Sequence, residues 1–309
     1  VIKMEFDITR LVFAAIGILI IFILPPYLDG IARRVKARLQ YRRGPPLAQT
    51  WYDLMKLFNL PSVKPTQSRL FTWAPYLALA SAITAALLLP YGNVIPVDIG
   101  FNLVVFFYVV LMVSIFLMLA GLTVQNAFSH LGSGREMQII LTVEPLIGIL
   151  YGVMAYNAGS LNIADIIANL HLTPSLILTY ILLAYALYVE SGFVPFDIAE
   201  AEQEVIGGPL TEYSGRLLGV FYYAIHIKRF TLLWFFISIL VMPWVGPVNT
   251  TVKAAEVLAL QFLLTISFYP IIAAIEATNA RLRIDHVVKM NTRMFFAGVV
   301  ILAMAFMGW

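Results

Sequence analysis

Six carboxylates, Glu190, Asp197, Glu200, Glu202, Glu204 and Glu212, fall within "ESGFVPFDIAEAEQEVIGGPLTEYSG" (190–215), and no lysine or arginine shares the stretch. Capping a helix uses one or two acids, and acids on a helix face ordinarily have basic partners four residues away. A dense acidic run without either is suited to attracting cations or passing protons. Asp197 with Glu200 three positions on has capping-box spacing, which predicts a helix starting there. Asp197, Glu200 and Glu204 would share one face of it, with Glu202 pointing elsewhere. The plain alternative for Asp197 is a simple N-cap.

Glu144 has a different setting. It stands inside the apolar run "ILTVEPLIGILYG" and is followed by Pro145, which breaks local helix hydrogen bonding. An ionised carboxylate in hydrocarbon costs at least ~2.5–3.5 kcal/mol on insertion scales, so an intramembrane acid is a functional candidate by default. Glu190 closes another apolar run, and Glu276 follows Pro270 by six residues in a third. For Glu144 and Glu276 the competing explanation is a structural ion pair with an arginine.

These acids need elements to hold them, and composition says which. The chain has 309 residues, 61% hydrophobic and 12% charged, with a mean hydropathy of +0.88. A water-soluble domain cannot hide that much apolar surface, so the bilayer is the solvent. A hydrocarbon core of roughly 30 Å takes about 20 apolar residues per helix. Runs of that kind predict eight spans near 8–26, 71–90, 101–121, 136–157, 174–190, 229–246, 255–278 and 287–308. The fold class is therefore an all-α integral membrane protein, a single polytopic domain over 1–309. The first run, Leu11 to Pro26, exceeds a signal-peptide core and lacks an A-x-A-like cleavage site, which reads as a retained span.

Lys and Arg are unevenly placed. With both termini on one side, seventeen lie on the other: Arg33, Arg34, Lys36, Arg38, Arg42, Arg43, Lys56, Lys64, Arg69, Arg135, Arg216, Lys228, Arg229, Arg281, Arg283, Lys289 and Arg293. Only Lys3, Arg10 and Lys253 remain. By the positive-inside rule the basic loops are cytoplasmic and the termini external, in the plasma membrane. Two cytoplasmic loops follow, a basic one at 27–70 and an acidic one at 190–228. Within the first, "AQTWYDLMKLFN" places Trp51, Leu54, Met55 and Phe58 on one helical stripe, as in a surface helix at the membrane or under a partner. "YRRGPP" before it reads as a turn.

The chain has no cysteine and only four histidines, all dispersed. It offers no thiolate for an iron–sulfur cluster, and it has no phosphate-loop, dinucleotide or zinc-protease motif. Any redox centre belongs on another chain.

"RRGPP" (42–46), "YDLMKLF" (52–58), "ESGFVPFDIAEAEQE" (190–204) and "ARLRID" (280–285) occur in the order found in one family. The sequence resembles the NuoH-like subunit, the membrane anchor of respiratory complex I, and its relatives in energy-converting nickel–iron hydrogenases. The resemblance covers essentially the whole chain. It implies a subunit without a redox centre, set where a peripheral redox arm meets antiporter-like membrane subunits. It also implies clusters held by partners: iron–sulfur clusters on a small subunit and a nickel–iron centre on a hydrogenase-like large subunit. No nucleic-acid partner is implied. Carried over by residue, Glu190, Asp197, Glu200, Glu202, Glu204 and Glu212 would form the acidic loop and Glu144 the entry to an intramembrane ion path. Arg42, Arg43, Arg281, Arg283 and Asp285 would shape the junction with the arm, with the arginines placed to face the acidic stretch.

Two departures bear on the chemistry. Quinone-using members usually carry an arginine where this chain has Phe193, and a GFN-type sequence where it has "GGPLTEYSG" (207–215). The second resembles the hydrogenase-type branch, and both count against quinone binding and favour oxidation of a low-potential donor such as ferredoxin with reduction of protons or sulfur species. The alternatives are a quinone-site subunit of a complex I-type oxidoreductase, a stand-alone secondary transporter and a passive anchor. The transporter reading lacks an internal repeat and matched broken helices.

Overall fold

The computed structural model describes residues 8–92, 94–245 and 251–308, with backbone only for 8–10, 202, 203 and 242–244. Lys3, the side chain of Arg10 and the last residue of the 229–246 span lie outside the described residues. Among the described residues, eleven α-helices follow in order: α1 Ile8–Leu39, α2 Gln49–Asn59, α3 Arg69–Leu87, α4 Asn102–Leu122, α5 Ala127–Ala158, α6 Ile163–Asn169, α7 Pro174–Glu190, α8 Glu202–Val205, α9 Gly215–Val245, α10 Thr251–Thr278 and α11 Ile284–Phe306. Seven of them are long and apolar enough to cross a membrane. α7 has 17 residues, the lower end of what spans. The protein is an all-α multi-pass membrane protein.

Three spans run further than their apolar runs suggested. α1 continues past 26 to Leu39, so Arg33, Arg34, Lys36 and Arg38 are helical and the 27–70 segment is not all loop. α5 starts at Ala127 rather than 136, and α9 at Gly215 rather than 229. Lys228, expected at the end of the acidic loop, and Arg229, expected at the start of the span, are therefore well inside α9. Pro25 and Pro26 do not stop α1, and neighbouring side chains supply a reason. A proline at position i frees the carbonyl at i−4. The carbonyl freed by Pro26 is that of Phe22, and it accepts from the Tyr223 hydroxyl at 2.7 Å. Trp51 Nε1 donates to the next carbonyl, Ile23, at 3.2 Å. In α3, Pro75 frees the carbonyl of Phe71, which accepts from the Tyr213 hydroxyl at 2.8 Å. Partners on other elements keep these helices continuous in an apolar medium. α5 likewise runs through Pro145 without ending.

α9 is the axis of the bundle. Most of its apolar stretch is buried, whereas α10 and α11 turn most of theirs outward. It packs against α3, α2, α1, α10, α6, α7 and α4, while α5 packs on α11, α7 and α4. At one end the connections 40–68, 191–214 and 279–283 meet: Val63 N donates to Ser214 Oγ, and Leu282 N donates to the Pro195 carbonyl. The 88–101 connection and the start of α6 lie together at the other end, joined by Asn162 Nδ2, at the α6 N-cap, donating to Asp98 Oδ1 at 3.4 Å.

Candidate functional site

The segment 191–214 is mostly turns. The helix expected from Asp197 does not form there; helical residues begin at Glu202, last four residues, and have Ala201 as N-cap without a side-chain cap bond. Asp197, Glu200 and Glu204 consequently share no helix face. Asp197 is drawn to Arg281 at 2.9 Å instead. α7 ends at Glu190, where its apolar run was expected to end.

Buried loop carbonyls need donors, and the surrounding helices provide them. Arg229 of α9 donates to the carbonyls of Ser191 (2.9 Å) and Gly192 (3.1 Å), with its guanidinium 4.9 Å from the centre of the Phe193 ring. Tyr188 donates to Val194 O, and Arg135 of α5 to Ile198 O. Tyr213 stacks on Phe71 with ring centres 4.1 Å apart. Gly208, at φ +53°, lies so close to Ala199 and Gly132 that a Cβ there would meet the Ala199 carbonyl oxygen at 1.8 Å. Glycine is required at that crossing.

Held this way, the loop closes a cavity of about 50 Å³ between α4, α5, α7 and α9. That is room for a few waters. Glu136, Glu190, Asp197, Glu200, Lys228 and Arg229 contribute charges to its wall. Desolvation, then the neighbouring Asp197 carboxylate, pushes the Glu200 carboxyl up to about 7.

Beneath the cavity, Glu190 and Lys228 form a buried ion pair. Lys228 Nζ also donates to Ser114 Oγ at 2.6 Å, and Ser114 stands 3.5 Å from Glu190 Oε1. The Glu144 carboxyl faces that of Glu190. Its Oε2 is buried and has no hydrogen-bond partner among the described residues. Acids from α5, α7 and the loop thus run from the cavity to the interior, around one lysine. Such a chain of exchangeable groups and water can relay protons.

The other expected residues go elsewhere. Glu204 pairs with Arg135 at 2.6 Å and Glu212 accepts from Asn126, both away from the cavity wall. The Glu202 side chain lies outside the described residues. Glu276 takes Lys36 of α1 at 2.5 Å, a lysine in place of the arginine considered from sequence. Arg42 turns to Gln40, and Arg283 to Asp285, all on the exposed surface; Arg43 is exposed beside them. Of the four arginines placed to face the acidic stretch, Arg281 does so through Asp197.

Four residues of this site were not foreseen: Ser114, Glu136, Lys228 and Arg229. The signal for Lys228 and Arg229 was "RLLGVFYYAIH" (216–226), apolar enough to extend the α9 span back and bring them into it. α2 follows its stripe in part: Leu54 is buried and Trp51 and Phe58 are half-buried, but Met55, expected on the same stripe, is exposed. Asp29 of α1 accepts from Thr50 at 2.7 Å and pairs with Arg33 at 2.8 Å; Arg33 also pairs with Asp53 at 2.8 Å.

The sequence profile of the family described as NADH dehydrogenase matches residues 11–307. The chain belongs to that family. Among its relatives, "Formate hydrogenlyase subunit 4" of Escherichia coli is 34% identical over 299 residues, 93% of this chain and 95% of that protein. "Hydrogenase-4 component C" of the same organism is 34% identical over 234 residues, 74% of each chain. A subunit of the NADH-quinone oxidoreductase of Salinibacter ruber is 30% identical over 228 residues, 67% of this chain and 65% of that one. In fold, the chain is similar to one in the structure of the membrane-bound sulfane sulfur reductase, an archaeal respiratory membrane complex. The TM-score is 0.77 at 21% identity, covering 95% of this chain and 99% of the other. The family resemblance read from the four sequence motifs is therefore met. Among the described residues, no group of three or more His, Cys, Asp or Glu is arranged to hold a metal ion.

Proposed function

We propose that this chain is the membrane subunit without a redox centre in an ion-translocating oxidoreductase complex of the complex I and membrane-bound hydrogenase class. It docks a peripheral hydrogenase-like arm, whose partners carry the iron–sulfur clusters and the nickel–iron centre. It joins that arm to antiporter-like membrane subunits, and couples electron transfer from a donor such as ferredoxin, to protons or a sulfur species, to proton or sodium movement. The observation that carries this reading is the continuous set of acids from the loop cavity through Glu190 to Glu144, in a chain whose sequence has no cysteine. Full-length similarity to a formate hydrogenlyase subunit supports the hydrogenase-type assignment.

In this reading Asp197 and Glu200 receive protons from the cytoplasmic side, Glu190 passes them inward, and Glu144 is the deepest acid. Glu204 and Glu212 line the loop's outer approach, and Glu202 belongs to the same acidic set. Arg42, Arg43, Arg281, Arg283 and Asp285 belong to the docking face. Electron transfer in the arm acts on the path only if two states of the arm differ in their contacts to the 191–214 loop.

Glu144→Gln tests the reading: it removes a titrating group and keeps its size. The substituted complex is expected to assemble with its partners, while ion uptake into membrane vesicles falls to background. Normal uptake by Glu144→Gln would reduce Glu144 to a structural role.

A further inference from the structure

The Ser114 hydroxyl is a meeting point for three ionisable side chains on three helices. It accepts from Lys228 of α9 at 2.6 Å, lies within 3.5 Å of Glu190 of α7, and interacts with the Glu136 carboxyl of α5. Lys228 is paired with Glu190, yet Glu136 lines the same cavity and is within electrostatic reach of the same ammonium. One ammonium stands between two carboxyls and neutralises one at a time. The remaining charges around it are Glu144 on α5, Arg229 on α9, and Asp197 and Glu200 on the loop.

We propose that Glu136 and Glu190 are alternative seats for the Lys228 ammonium, and that Lys228 changes seat as one proton crosses through Ser114. The inference rests on the carboxylate path described above and adds a gate to it. The step balances without any electron transfer. A proton on Glu136 passes to Ser114 Oγ as the Ser114 hydroxyl hydrogen passes to Glu190. One O–H bond breaks and one forms at each transfer, leaving the serine unchanged. Glu136 becomes the anion and Glu190 the acid, and Lys228 follows the negative charge to Glu136. The three residues keep the same summed charge throughout, so no uncompensated charge is left in a medium that solvates it poorly. Glu190 then hands its proton to the neighbouring Glu144 once Glu144 has released its own proton inward. When Glu190 is again an anion, Lys228 returns and Glu136 is free to reload from the cavity.

The test uses the assembled complex in membrane vesicles and two substitutions outside the path proposed above. Glu136→Gln removes the second seat; Ser114→Ala keeps every charge and removes only the relay hydroxyl. Ion uptake per assembled complex is expected to fall at least about tenfold in both, the scale of a lost proton-transfer group. Glu136→Gln should also delete one protonated-carboxyl component from the redox-induced infrared difference spectrum. A merely structural Glu136 would lower the amount of assembled complex and leave that spectrum intact. Uptake within about twofold of the parent in both variants overturns the gate, and so does an unchanged carboxyl spectrum in Glu136→Gln. If Glu144→Gln is defective while Glu136→Gln and Ser114→Ala are normal, the gate falls and the path stands. Normal uptake by Glu144→Gln takes down the path itself.

Discussion

Glu200 gives the acidic loop a pH dependence with a definite sign. Its carboxyl ordinarily titrates near 4.5 and is pushed up to about 7 in the folded loop, by desolvation first and Asp197 second. Between these values the folded loop holds a proton that the unfolded chain has released. Stability therefore falls as pH rises through that window, by the linkage between bound protons and folding. Below 4.5 both states are protonated, and above about 7 both are charged, so this contribution is level on either side. Amide exchange in 191–214, corrected for intrinsic rates, is expected to accelerate between pH 4.5 and about 7. Glu200→Gln should flatten that part of the profile; an identical profile in the variant would locate the titration elsewhere. The acids themselves were visible in the sequence, but their division of labour was not. Glu190 and Glu200 reach the cavity while Glu204 and Glu212 turn to Arg135 and Asn126, because those partners sit on α5 and in the turn before it, far away in the chain.

At the scale of elements, the 191–214 loop keeps its shape because helices grip its backbone. Close approach matters as much as hydrogen bonding. A Cβ on Gly208 would meet the Ala199 carbonyl oxygen at 1.8 Å, and φ there is +53°. One on Gly134, in α5, would meet nothing within 4 Å. Gly208→Ala is therefore expected to lower the thermal stability of the detergent-solubilised complex, by ~1–3 kcal/mol for backbone strain alone and more for the collision. Gly134→Ala should be neutral or gain ~0.5–1 kcal/mol, since alanine is the better helix former. Equal melting temperatures for the two variants would mean the loop is not seated through Gly208. Helix identity was legible from hydropathy, but helix ends were not. Pro25 and Pro26 look like a terminus until Tyr223, some 200 positions away, is seen to satisfy the Phe22 carbonyl at 2.7 Å. The same holds for Pro75, whose freed carbonyl is taken by Tyr213. Expecting a helix at Asp197 failed for a related reason: a capping box is a local preference, and Arg281 outcompetes the cap for the carboxylate.

Among the described residues, the basic and acidic loops lie at one end of the bundle, and the 88–101 connection with α6 lies at the other. The proposed orientation puts the loop end in the cytoplasm. The cysteine-free sequence makes this directly measurable, because one introduced thiol is the only one in the chain. Tyr41→Cys, at a fully exposed position in the turn after α1, is expected to react with a membrane-impermeant maleimide only from the cytoplasmic side. Leu172→Cys, exposed in the turn before α7, should react only from outside. The label is read on this subunit after gel separation from its partners. The reverse pattern would turn the acidic loop outward and separate it from any cytoplasmic arm. α9 lies at the centre of this arrangement and carries Lys228 roughly 20 Å from its own start, at 1.5 Å per residue. The lysine counted as a loop charge from sequence thus supplies the ammonium of the Ser114, Glu190 and Glu144 cluster.

Hydropathy was enough to determine a helical membrane protein with a glutamate inside one apolar run and an acidic segment between two others, since burying apolar surface and satisfying backbone groups in lipid leave few other solutions. The motif order was enough to reach the family. Which acids meet, and around which cation, was decided only by tertiary structure. Glu144, Glu190 and Lys228 come from three helices with no shared periodicity, and their contact depends on how α5, α7 and α9 pack. Sequence spacing constrains neighbours along one helix; the electrostatics of a buried cluster are set by distances between helices.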